Sequence, residues 1–408
     1  MSESDIRNLN PVEQSIYRVI YKHGPVSKNE IASHTDVSLA TVNRVINTLE
    51  KKNVVTPLNK EEAGGRVALK FKVDDKQHVL FSGFICYGIC GIGLCDINSG
   101  IRELATMPMH PDKNPNEIID FFTIFIQRVL REHTLSKSDV LGFGLGVLGP
   151  ILKNKGIIYN PYHLDSSVWN NTPIKDLVEL KTGITTFIDN LAEIALLGEL
   201  YPKIKESSGN VAYLWMDRGI GCAVYSNGAI GFGSIDVSSN IGHMVIDFKG
   251  EPCVCGKRGC LETYASIESM YRHLEKRIAG FPTLTVEEAE YCENNVWLCC
   301  PELVQIRRVL DSPNSKVNVF IEELEDAITS ALINFIQLFN ANTIYYGGRT
   351  PEQLPAVIER SFNRVLEGTS ADFYRDVNFI KSRINTELFI EGGCFLVVNK
   401  YLKLIHQS

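Results

Sequence analysis

The chain has no run of 18 or more apolar residues, which excludes a membrane-spanning helix, and no basic-then-apolar leader at its N-terminus. Its longest apolar stretch, Leu141 to Leu152, is short and rich in glycine, so it reads as a buried strand and turn. Without a secretory signal, eleven cysteines, an odd count, argue for a reduced cytoplasmic protein rather than a disulfide framework. Basic charge is scarce overall, with 41 Lys and Arg against 48 Asp and Glu, for a net charge of −7. The deficit is uneven. Residues 11–72 hold ten Lys/Arg and six Asp/Glu, a local charge of +4, so the remainder carries −11. A small basic head on an acidic body is the asymmetry expected when only the head meets a polyanion.

At 408 residues, 44% of them hydrophobic, the chain is long enough for two or three domains with a large core. Residues 11–24 carry Ile16, Val19, Ile20 and His23 at helical spacing, and Gly24-Pro25 ends that helix. Ser27-Lys-Asn-Glu30 has the pattern of a capping box and predicts a short second helix to about Thr35. Ser38 caps a third, with Val42, Val45, Ile46 and Leu49 as a one-sided apolar stripe. The opposite face offers Leu39, Ala40, Thr41, Asn43, Arg44 and Asn47, side chains suited to reading a major groove and touching phosphate. Val54-Val55 and Leu69 to Val73 predict the two strands of a wing, with Gly64, Gly65 and Arg66 at its tip. The candidate DNA contacts are therefore Ser38, Ala40, Thr41, Asn43, Arg44, Asn47, Gly64, Gly65 and Arg66. The alternative is a winged module that docks to protein.

From about residue 78 strands and helices alternate in an α/β pattern. Paired strands are predicted over Val79–Asp96, a helix over Glu117–His133 and a buried strand over Val140–Val147. Thr186–Asp189 enters a helix at Ala192, and a long helix over Glu322–Phe339 feeds a strand at Thr343. Cys292, Cys299 and Cys300 have no histidine or fourth thiol beside them and read as buried packing residues.

The densest chemistry lies between His243 and Glu262, where one imidazole and three thiols, His243, Cys253, Cys255 and Cys260, share a short glycine-rich loop. Cys₃His is a closed tetrahedral ligand set of structural Zn²⁺, and Gly250, Gly256 and Gly259 permit the tight turns it needs. The plainer reading is three packed cysteines and a core histidine.

The string Cys253-Val-Cys255-Gly-x-x-Gly-Cys260-Leu-Glu262, preceded by Ile-Gly-His243, resembles the zinc loop of the ROK family, the repressors, open reading frames and sugar kinases. The resemblance extends over the body and implies a two-lobed actin/hexokinase-like α/β fold behind an N-terminal winged helix-turn-helix. On it, residues 1–77 form the DNA-binding domain and 78–195 the first lobe, completed by a C-terminal helix at about 390–408. Residues 196–389 form the second lobe, with the zinc loop and dimerisation helices. It also implies a sugar-facing role for His243 and Glu262, with Asn190, Asn240 and Asn170 as further candidate sugar contacts.

Family kinases carry an Asp-x-Gly-Gly-Thr turn after their first strand and an Asn-Asp pair whose aspartate is the base on the sugar hydroxyl. Here the corresponding residues are Phe84-Ile-Cys86-Tyr-Gly88 and Asn190-Leu191, and Ser239-Asn240 replaces a Gly-Glu. No aspartate lies between Val79 and Cys95, and a leucine cannot take a proton. The expectation is a regulator of the Mlc/NagC type with no catalytic residue: a homodimer or homotetramer on pseudo-palindromic double-stranded operator DNA, with one structural Zn²⁺ per chain. Its effector would be a sugar, a sugar phosphate or a phosphotransferase-system protein. The alternatives are an active sugar kinase with an appended DNA-binding head, and a protein-interaction regulator with no sugar ligand.

Overall fold

In the computed structural model the described residues are 6–58, 68–76, 78–110, 113–161, 163–201, 209–231, 240–312, 314–367, 374 and 376–407. Three helices open the chain. The first, Pro11–His23, starts at a capping box made by Asn10 and Glu13 and ends at Gly24. In the second, Lys28–Ser33, the Glu30 N–H donates to Ser27 Oγ (3.3 Å) and the Ser27 N–H to Glu30 Oε2 (2.6 Å). In the third, Leu39–Lys51, Ser38 Oγ accepts from the Thr41 N–H, and Val42, Val45, Ile46 and Leu49 are buried against the other two. Strand Lys70–Val73 pairs antiparallel with Val55–Pro57 on one side and with Val26–Ser27 on the other. Gly64, Gly65 and Arg66, the expected wing tip, lie outside the described residues.

The first lobe is a five-stranded sheet in the order Thr186–Asn190, Val140–Val147, Val79–Ile85, Gly88–Asp96, Ile101–Met109. The first three are parallel, and the last two run back as antiparallel neighbours. One face packs on helices Pro115–Glu132 and Ile174–Thr182 through Phe81, Phe122, Phe143 and Trp169. The other is covered by helices Leu191–Leu200 and Thr386–Leu402. These two helices approach so closely that a Cβ on Gly392 would stand 1.9 Å from the Ile194 carbonyl oxygen. Only glycine fits there.

The second lobe has a six-stranded sheet around Val211–Met216, Ile220–Ser226 and Thr343–Gly347. Its long helix, Ser315–Phe339, begins well before the expected Glu322, because Asn314 caps it and Val317 and Phe320 are buried in its first turns. The last helix runs over Thr386–Leu402 rather than 390–408. Asn385 caps its start, Lys403 turns left-handed, and the chain then adds a short strand beside Ala229–Ile230. Twelve of its residues are buried, so it is a packing element.

The head docks on the first lobe and on the chain just past this helix. The Arg7 guanidinium donates to the Ser138 carbonyl (2.8 Å), the Tyr21 hydroxyl to Ile97 (3.2 Å) and Lys22 Nζ to Leu404 (3.3 Å). Buried residues of the head and of the terminal helix belong to one apolar core.

Candidate metal centre, cleft and nucleic-acid interface

The loop after His243 folds back on itself. Ile246 N–H donates to the Gly259 carbonyl (2.8 Å), Cys253 N–H to Lys257 (2.8 Å) and Gly256 N–H to Cys253 (3.0 Å). These turns bring the ligand atoms of His243, Cys253, Cys255 and Cys260 within 4.8 Å of one another. His243 Nδ1 is 3.5 Å from Cys253 Sγ, and Cys255 and Cys260 Sγ are 3.6 Å apart. This cluster can hold one metal ion. Its donor set, three thiols and an imidazole, suits zinc, for which ligand bonds of about 2.0–2.3 Å in a tetrahedron demand this crowding. The other ring nitrogen of His243 points away from the thiols, 4.0 Å from Glu262 Oε1.

Glu262 is the link from this loop to the cleft between the lobes. It opens a short helix, is 7% exposed, and accepts the Ile220 N–H at Oε2 (3.1 Å). Burial alone would raise its carboxyl; the hydrogen bond and charge of His163 hold it below the ordinary value. A small inner cavity is lined by Asn190, Asn240, His243 and Glu262 together with Leu191 and Trp215. Asn190 Oδ1 accepts the Glu193 N–H at the start of the next helix (2.9 Å), while its Nδ2, buried, makes no hydrogen bond. Asn170 is not part of this cavity. It is exposed, and its Oδ1 accepts the Asn160 N–H (2.9 Å) on the flank of the first lobe.

Residues at the first turn fill the space beside the cavity. Tyr87 occupies the two-residue link between the first two strands of the lobe 1 sheet, 9% exposed, with the Arg218 and Arg349 guanidinium groups 5.6 and 5.8 Å from its ring centroid. Arg349 Nε donates to Asp217 Oδ2 (2.9 Å), and both residues are almost wholly buried. Burial would push the Asp217 carboxyl up, but the Arg349 charge outweighs it and holds the carboxyl below its usual range. Arg218 bridges Glu268 (2.7 Å) and Glu302 (2.8 Å). Asp189 is buried against Lys153 Nζ (2.8 Å), which also contacts Glu193, and it does not line the cavity. Burial and the neighbouring Asp189 push the Glu193 carboxyl up to about 8.

In the head, Ser38, Leu39, Ala40, Asn43, Arg44 and Asn47 are all exposed, and Thr41 is half-buried. They form one solvent face of the third helix, opposite its buried stripe.

His163, Trp215, Asp217 and Arg349 were not legible as site residues in the sequence, whereas Tyr87 was visible as the bulky residue of the first turn. Of the four, Asp217 and Arg349 carried a signal: each is a charged residue next to a glycine-rich turn, Asp217-Arg-Gly219 and Gly347-Gly348-Arg349.

A two-lobed body with a zinc-type loop at its cleft, joined to a winged helical head, defines the class. The chain belongs to the ROK family, whose profile matches residues 90–387. A winged helix-turn-helix DNA-binding profile matches residues 9–56. The chain is similar to the xylose repressor of Bacillus spizizenii, 29% identical over 269 residues, covering 65% of this chain and 68% of the relative. It is also similar to the DNA-binding transcriptional repressor Mlc of Escherichia coli, 23% identical over 290 residues, covering 68% and 69%. Among solved structures, a ROK family transcriptional regulator described as a homologue of Escherichia coli Mlc superposes with a TM-score of 0.75 at 19% identity, over 96% of each chain. No helix of the described residues is long and apolar enough to cross a membrane.

Proposed function

We propose that this chain is a cytoplasmic transcriptional repressor of carbohydrate uptake or metabolism genes, acting as a dimer or tetramer on a pseudo-palindromic operator. The observation that carries this reading is the solvent face of the third helix. It presents two asparagines, an arginine and small apolar groups, the side chains that read base edges and methyls in a major groove. One such head buries too little surface for tight specific binding, so two heads on symmetric half-sites are required.

The body is the sensing and assembly part, and phosphoryl transfer is not among its tasks. Transfer needs a cradle for phosphate and a base on the accepting hydroxyl. Tyr87 sits in the first turn, which the resemblance assigns to the phosphate cradle, and packs against the Arg349 guanidinium that pairs with Asp217. Leu191, which lines the cavity, follows Asn190 where the resemblance puts the base, and Asp189 pairs with Lys153.

His243, Cys253, Cys255 and Cys260 would hold one Zn²⁺, whose contribution is to cross-link the loop and fix the ring of His243. Asn190, Asn240, His243 and Glu262 are the polar groups available to a sugar. Relatives named for xylose make a pentose the first effector to try.

The test is selection of genomic fragments by the purified protein, with and without D-xylose and D-glucose. The reading expects one two-fold-symmetric site whose occupancy drops with an effector. Recovery of unrelated fragments only would contradict it.

A further inference from the structure

The inner cavity has a neighbour, an outer cleft of about 560 Å³ between the first lobe and the zinc loop. Three residues line both: Tyr87, His163 and Glu262. They are the wall between the two spaces. His163 comes from the first lobe and Glu262 from the second, so the wall is closed by a contact across the cleft. His163 Nε2 faces Glu262 Oε1 at 3.6 Å, while Glu262 Oε2 already holds the Ile220 N–H. The Tyr87 hydroxyl fixes the His163 backbone carbonyl from the first-lobe side (2.6 Å).

The opposite lobe is shaped to admit this imidazole. A Cβ on Gly219 would stand 2.6 Å from His163 Nε2, so the ring reaches Glu262 only because residue 219 has no side chain. With the ring in place the inner cavity is about 90 Å³. That is about one sixth of the outer cleft's volume. Yet the cavity wall carries an unpaired buried donor, Asn190 Nδ2, at a residue 6% exposed. A buried donor left unsatisfied beside a cavity calls for an acceptor there, which a ligand hydroxyl can supply.

We propose that His163 is a ligand-exchange residue. It faces Glu262 Oε1, the oxygen not held by the Ile220 N–H, in the unliganded chain, and a neutral polyol entering from the outer cleft displaces it and gives its own hydroxyls to Glu262 and Asn190. This deepens the effector reading above and rests on it. Displacement merges the two cavities and removes a contact between the lobes, so binding at the cleft changes how the lobes are held together. An internal competitor lowers apparent affinity by the fraction of chains in which the site is free.

The experiment is calorimetric titration of the full chain with D-xylose and with D-glucose, on the parent and on His163→Ala, Tyr87→Phe and Glu262→Gln. His163→Ala should bind one of the two sugars about tenfold more tightly than the parent. Tyr87→Phe, which frees the His163 backbone without touching Glu262, should shift affinity the same way by less, and it serves if His163→Ala does not fold. Glu262→Gln should lose binding. Unchanged or weaker binding in His163→Ala would overturn the proposal, as would the absence of binding to either sugar by parent and variants alike. Binding of each sample to its selected operator, measured alongside, separates the two claims. Intact operator binding without sugar exchange leaves the repressor standing and removes only the role of His163. Loss of operator binding by the parent removes the repressor reading itself.

Discussion

Arg349→Ala should be among the most damaging single changes available in the body. Arg349 is 5% exposed and Asp217 2%. Without Arg349, Asp217 keeps two backbone donors, the N–H of residue 218 at 2.7 Å and that of residue 349 at 3.3 Å, but no countercharge. Breaking a buried pair by removing one partner costs about 3–5 kcal/mol, because the remaining charge stays buried. At roughly 2–4 °C per kcal/mol for a large domain, the melting midpoint should drop by about 6 °C or more.

The double variant Asp217→Leu, Arg349→Met removes both charges at similar volume and should recover most of that loss. The pair also leaves a signature in pH. The Asp217 carboxyl is held below its unfolded value, so the unfolded chain binds more protons and stability rises with pH across that interval. The stabilisation is present above the unfolded aspartate pKa of about 3.9 and fades as pH falls through the lower folded value. Stability of the parent should therefore fall more steeply under acid than that of the double variant, which has no carboxyl at this position to protonate. The assay is differential scanning calorimetry of the three proteins between neutral and acid pH. A single variant melting within about 1 °C of the parent would refute the reasoning.

Asn43→Ala and Arg44→Ala should each weaken operator binding by about 1–3 kcal/mol, or 5- to 150-fold, with no change in melting, since both are exposed. Fluorescence anisotropy on the selected site reads this, and equal losses on random DNA would assign them to phosphate alone. Leu49→Ala, in the fully buried stripe of the same helix, should instead cost about 2–5 kcal/mol and lower the head's melting transition. Elemental analysis should find one zinc per chain in the parent and far less in Cys255→Ser; equal metal in both would remove the cluster as the site. Incubated with ATP, Mg²⁺ and either glucose or xylose, the protein should release no ADP above a heat-denatured control.

The parts of this protein that were legible in sequence are those whose cause is local. The capping box at Ser27 and Glu30 and the apolar stripe from Val42 to Leu49 announce the head, because cap and stripe are set by neighbours three and four residues away. The thiols at 253, 255 and 260 announce a metal loop for the same reason, since a turn of that size fixes where they point. What stayed hidden depends on distant partners. His163 meets a carboxylate at residue 262, and Asp217 meets a guanidinium at residue 349. No periodicity connects such pairs. Asn170 is exposed on the flank of the first lobe while Trp169 beside it is buried, its indole N–H reaching the Lys113 carbonyl (2.9 Å). The strand at 406–407 was likewise invisible, because its partner is Ala229–Ile230.

The central claim is that the head reads a symmetric operator with the exposed face of its third helix. Selection of genomic fragments on the purified full chain, repeated with an Asn43→Ala, Arg44→Ala double variant, tests it most directly. The parent should enrich one two-fold-symmetric sequence and the variant none. Fragments enriched equally by both proteins, or no shared sequence in either pool, would contradict it.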